Sequence, residues 1–91
     1  MTMLFQREVQ ITNIRGLHAR ASAKFVTLAS AQSANIEVEK DGSKVAGTSI
    51  MGLMMLGAAK GDSVIISATG DGAEKAITVL AELVEGKFGE D

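Results

Sequence analysis

The run Gly16-Leu17-His18-Ala19-Arg20 carries the chain's one imidazole, in a sequence without cysteine, tyrosine or tryptophan. An imidazole can act as nucleophile, base or proton carrier near neutral pH, so covalent chemistry here falls first to His18. Ala19 opens an alanine-rich stretch of helical spacing. A helix that starts there leaves the backbone N–H groups of Ala19, Arg20 and Ala21 without intrahelical acceptors, at the positive end of the helix dipole. Arg20 adds a permanent cation with a forked donor set, and Gly16 permits a tight turn before the helix. Imidazole, helix start and arginine together suit an anion held beside a nucleophile. The chemistry expected is phosphoryl acceptance on His18, with the product held by backbone donors and Arg20. No carboxylate lies nearby in sequence to orient the ring, so a hydrolytic triad is not supported. A lone histidine in such a place is equally often a surface or capping residue without chemistry.

A second constellation is Ser49-Ile50-Met51-Gly52-Leu53-Met54-Met55-Leu56-Gly57. Ser49 is a natural N-cap and Gly57 a natural stop, which leaves about two turns of helix. A helix so short can bury one face, and its apolar residues run nearly all round it. Leu53 and Leu56 are expected to face inward, which leaves Ile50, Met51, Met54 and Met55 as an exposed apolar patch. Thioether side chains suit adaptable binding to several partners, although methionines also serve as core filler. Ser49 needs no role beyond capping; a phosphate there would nonetheless be electrostatically tolerated.

The elements that must position these groups follow from periodicity. Leu4 to Ile11 alternates Phe5, Val9 and Ile11 against Gln6, Glu8 and Gln10, the pattern of a half-buried strand, with Arg7 on the apolar side at an edge. Ala19 to Ser30 reads as a helix with Ala21, Phe25, Leu28 and Ala29 inward. Asn35 to Lys40 and Ser43 to Ala46 read as a hairpin about Asp41-Gly42, because a type I′ turn needs positive φ at both central residues. Ser63 to Thr69 is β-branched and suits an internal strand. A last helix carries Ala73, Ala76, Ile77, Leu80 and Val84 in one stripe, with Asp71 and Glu74 as a capping box and Gly86 past its end. The order β-α-β-β-α-β-α defines an α/β (α+β) fold: an open-faced β-sandwich, a four-stranded antiparallel sheet with three helices on one face.

Ninety-one residues allow a single domain, 1–91, with no room for a separate substrate domain. A net charge of −2 and 3% aromatic content exclude an electrostatic or stacking footprint for nucleic acid. The absence of cysteine removes disulfides and common zinc sites, and no metal or cofactor is called for. No stretch approaches the roughly 18 apolar residues of a membrane span, and the N-terminus lacks the pattern of a secretory signal, so a cytoplasmic protein is expected.

Gly16-Leu17-His18-Ala19-Arg20, Ser49-Ile50-Met51-Gly52-Leu53 and Leu56-Gly57-Ala58-Ala59-Lys60-Gly61 resemble the signatures of the HPr family. Its members are histidine phosphocarriers of the bacterial phosphoenolpyruvate-dependent phosphotransferase system. The resemblance spans essentially the whole chain. It implies that phosphorylated Enzyme I passes its phosphoryl group to Nδ1 of His18, that Arg20 stabilises the transferring group, and that an EIIA-type domain accepts it. It further implies that Ser49 is the target of HPr kinase/phosphorylase in lineages that have that enzyme. Leu17, Ile50, Met51, Met54 and Met55 fall on the implied docking face. The carrier would have no turnover of its own and would act as a monomer, leaving one face free for successive partners. Where the family usually places proline after the arginine, this chain has Ala21, which restores an N–H donor and loosens the loop. A nitrogen-related branch of the same relay, or a regulatory adaptor binding through the methionine-rich helix with His18 idle, are the alternative readings.

Overall fold

Alternate residues of four strands build one apolar face, and three helices cover it. In the computed structural model, which describes residues 3–90, the strands are β1 (Leu4–Gln10), β2 (Asn35–Lys40), β3 (Ser43–Ala46) and β4 (Ser63–Thr69). They pair antiparallel throughout in the order β1-β4-β2-β3. The register sets Val9 opposite Val64, and both Phe5 and Ile36 opposite Ala68, which aligns the inward residues of three strands. The other face is polar, with Gln6 Nε2 donating to Ser67 Oγ at 3.1 Å. β4 lies inside the sheet, as its β-branched run predicts. Asp41 and Gly42 both take positive φ, 50° and 84°, and close the β2–β3 hairpin.

The helices are α1 (Ala19–Ser30), α2 (Ile50–Met55) and α3 (Ala73–Glu85). Each presents an apolar stripe to the sheet: Ala21, Phe25 and Ala29 of α1, Leu53 of α2, and Ala76, Ile77, Leu80 and Val84 of α3 are buried. Burying Phe25 contributes about 1.5–3 kcal/mol. Arg7 sits on edge strand β1 and pairs with Glu85 of α3 at 3.1 Å, an exposed contact worth about 0.2–1 kcal/mol.

The capping box expected from Asp71 and Glu74 does not form. α3 starts one residue later than that box requires, behind Gly72 at φ 75°, and has no side-chain cap. Glu74 still places its charge in the first turn, where it faces the dipole favourably. Beyond Gly86 the chain does not trail away. Lys87–Gly89 form a short 3₁₀ turn in which Lys87, Phe88 and Gly89 all take positive φ, and Phe88 is 1% exposed against the core.

Candidate functional site

His18 caps α1. Its backbone is extended (φ −73°, ψ 179°), its carbonyl accepts the first helical bond from Ser22 N at 2.9 Å, and its side chain makes no cap. The N–H groups of Ala19, Arg20 and Ala21 therefore have no acceptor among the described residues. Ala19 and Arg20 are exposed while Ala21 is buried, and Arg20 has no ion-pair partner among the described residues. The imidazole and an unengaged row of helix donors thus stand together, and Arg20 belongs to the same turn of α1.

The loop that delivers His18 is held from two sides. Gly16 has φ +65°, and a Cβ there would lie 2.4 Å from the Ala58 carbonyl oxygen. Only glycine fits so close to that backbone. The same carbonyl accepts from Leu17 N at 2.9 Å, so the segment after α2 fixes the height of the His18 loop. Ser22, fully buried in the first turns of α1, donates its hydroxyl to the Leu17 carbonyl at 3.2 Å.

A carboxylate absent from the local sequence is present in space. Glu90 approaches His18 Nε2 with both oxygens at 3.0 Å, and each side chain is 21% exposed. Glu90 Oε1 also accepts from Asn13 Nδ2 at 2.8 Å, and the same amide donates to the Gly16 carbonyl at 2.8 Å. Carboxylate and carbonyl are both pure acceptors, so the Asn13 amide can only face them with its NH₂. Its oxygen is buried without a partner among the described residues, a cost of about 1–3 kcal/mol that the two donated bonds must offset. The Asn13 bond holds the Glu90 carboxyl below the usual carboxylate range, with further help from His18 and Lys24 against the opposing effect of burial. Lys24 of α1 donates to the Phe88 carbonyl at 2.7 Å and ties the 3₁₀ turn down.

Glu90 and Asn13 are the residues that sequence reasoning missed. Their one signal was Phe88, an aromatic beyond a helix stop in a chain with three phenylalanines, which marks an anchored segment.

On α2, Ser49 caps as expected, accepting from Gly52 N at 2.9 Å. Leu53 and Leu56 are buried, whereas Ile50, Met51, Met54 and Met55 are exposed, Met51 by 70% and Met55 by 80%. Leu17, expected on the docking face, is instead 7% exposed: its short loop is pinned to Ala58, which turns the side chain into the core. The apolar residue that this loop presents outward is Ile14. Among the described residues no three His, Cys, Asp or Glu side chains cluster to hold a metal, and no helix is long and apolar enough to cross a membrane.

Fold and site together define a small histidine-bearing open-faced sandwich, with an anion-receptive helix start beside the ring. Residues 5–86 match the PTS-HPr family model, described as the PTS HPr component phosphorylation site, and the chain belongs to that family. It is 44% identical over 87 residues to "Phosphocarrier protein HPr" of Neisseria meningitidis serogroup A, covering 96% of this chain and 98% of that one. It is 38% identical over 90 residues to "Phosphocarrier protein NPr" of Shewanella violacea, covering 99% and 98%. The crystal structure of HPr-C-His from Thermoanaerobacter tengcongensis superposes with a TM-score of 0.91 at 49% identity, over 96% of this chain and 98% of that one. The protein is accordingly a phosphocarrier of the phosphotransferase system rather than an enzyme with turnover.

Proposed function

We propose that His18 is the phosphoryl acceptor, charged by phosphorylated Enzyme I and discharged to an EIIA-type domain. The observation that carries this reading is the capping position of His18, whose ring shares a helix start with the free donors of Ala19, Arg20 and Ala21. A phosphoryl group on the ring brings negative charge to a place where backbone N–H groups and the Arg20 guanidinium can bind its oxygens. Ala21, where the family usually has proline, keeps its N–H and adds a donor to that cradle.

Ile50, Met51, Met54 and Met55 form the docking patch for both partners, an adaptable apolar surface that must stay open for each in turn. That requirement favours a single copy. Ser49, at the start of the same helix, is the candidate regulatory phosphorylation site, where an added phosphate would change the charge of the shared face.

Incubation with Enzyme I and labelled phosphoenolpyruvate tests the reading. An acid-labile, base-stable phosphate is expected on the wild type and absent from His18→Ala. An unlabelled wild type would refute it and favour an adaptor that uses the methionine patch with an idle histidine. Offering the charged carrier a sugar-specific and a nitrogen-related EIIA domain then assigns the branch, since the relatives include both an HPr and an NPr.

A further inference from the structure

We propose that Glu90 is a positioning residue for His18: with Asn13 it holds the ring so that Nε2 carries the proton and Nδ1 presents its lone pair to the incoming phosphorus. This rests on the reading of His18 as acceptor and specifies how that site is set. An ionised carboxylate accepts hydrogen bonds and donates none, so the ring nitrogen 3.0 Å from both its oxygens is the N–H nitrogen. The remaining proton position on the neutral ring, Nδ1, is then vacant and nucleophilic.

The surroundings are built to keep Glu90 there. Asn13 is fully buried and directs its NH₂ at Oε1, 2.8 Å away, which fixes the carboxylate beside the ring. Three consecutive left-handed residues, Lys87, Phe88 and Gly89, bring the chain to that point, and two of them are not glycine. Such a backbone persists only where its surroundings over-determine it. Here the buried Phe88 ring and the Lys24 bond to the Phe88 carbonyl do so. The titratable groups facing Glu90 are His18 at the loop and Lys24 on α1.

In the transfer step the Nδ1 lone pair forms the bond to phosphorus while the bond from phosphorus to the donor breaks, its electron pair leaving with the donor. Nε2 keeps its proton throughout. The phosphorylated ring is thereby cationic, and the Glu90 carboxylate already faces that charge. On return of the phosphoryl group to an acceptor, the same bond breaks with its pair going back to Nδ1. No proton need enter or leave the site in either direction.

The test combines nitrogen NMR of the His18 ring with rates of phosphoryl acceptance from Enzyme I, in the wild type, Glu90→Ala and Glu90→Gln. The wild-type neutral ring is expected as the Nε2–H tautomer. Glu90→Ala should relax the ring toward the tautomer mixture of free imidazole and lower the maximal acceptance rate by about tenfold, the lower end of what loss of an orienting partner costs, with the KM for Enzyme I unchanged. Glu90→Gln should be slower still. In that variant Asn13 retains the amide oxygen, and the NH₂ that replaces Oε2, 3.0 Å from Nε2, opposes a proton there and favours one on Nδ1, where it occupies the lone pair. Thermal unfolding of each variant reports that the fold is kept. An Nδ1–H tautomer in the wild type, or acceptance equal to or faster than wild type in both variants, overturns the proposal. The NMR measurement needs no donor protein, so it judges the clamp even if His18 accepts no phosphoryl group, which is a separate failure.

Discussion

Gly16 and Gly57 share a backbone angle, φ +65°, and differ in what surrounds them. An added Cβ at Gly57 meets nothing within 4 Å, whereas at Gly16 it meets the Ala58 oxygen at 2.4 Å and the Ala59 Cα at 2.9 Å. Substituting alanine at each therefore separates the cost of a left-handed residue from the cost of a clash. The first cost is about 1–2 kcal/mol at either site. Any gain from a stiffer unfolded chain, about 0.4–1 kcal/mol, is likewise common to both and cancels in the difference. Gly16→Ala must in addition push the loop away from the oxygen that accepts from Leu17 N. Weakening that bond and loosening the packing beneath it adds about 1–2 kcal/mol. The expected excess of Gly16→Ala over Gly57→Ala is therefore about 1–2 kcal/mol, read from urea midpoints at constant m-value. Phosphoryl acceptance should fall in Gly16→Ala alone, because only that loop carries His18. Equal destabilisation of the two variants, or unimpaired acceptance by Gly16→Ala, would refute the claim that contact with Ala58 sets the height of the site.

Ser49→Ala should cost about 1 kcal/mol through loss of the cap on α2, while Ser49→Asp keeps an acceptor for Gly52 N and slows transfer from Enzyme I by charging the docking face; unchanged transfer kinetics in Ser49→Asp would separate Ser49 from docking. Met51→Asp should raise the KM for Enzyme I with the unfolding midpoint unaltered, since this side chain is 70% exposed; a midpoint that falls instead would mark it as core. The folded-state pKa of Glu90 lies below its unfolded value, so the stability this carboxylate adds is complete above about pH 4.3 and is lost as pH falls through the depressed folded value. Asn13→Ala removes the leading cause of that depression, so the carboxyl titration of Glu90, followed by carbon NMR, should move up toward the ordinary range; an unmoved titration would assign the shift elsewhere.

Periodicity and turn chemistry carried most of the architecture. Strand alternation in Phe5 and Val9, the Asp41-Gly42 turn and the stripe on α3 each state a local preference that the tertiary structure keeps, although β1 stops at Gln10, one residue short of Ile11. Local logic failed where a remote contact decides. Leu17 looks like loop surface until Ala58, far along the chain, captures its N–H. Asp71 and Glu74 have the spacing of a capping box, but the left-handed Gly72 moves the helix start past it. The candidate site was legible in His18 and Arg20, because they stand two residues apart at a helix start. Its carboxylate was not, because Glu90 stands 72 residues away from the ring it contacts, and no periodic pattern announces that approach.

That separation has a consequence for the chain during its own synthesis. The histidine loop leaves the ribosome early, yet the backbone that holds it, at Ala58, follows much later, and the carboxylate that contacts its ring later still. A growing or truncated chain can therefore display the histidine before its contacts with Ala58 and Glu90 exist. The full set of contacts around the ring forms only once the chain has passed Glu90 and the last turn has closed against the core.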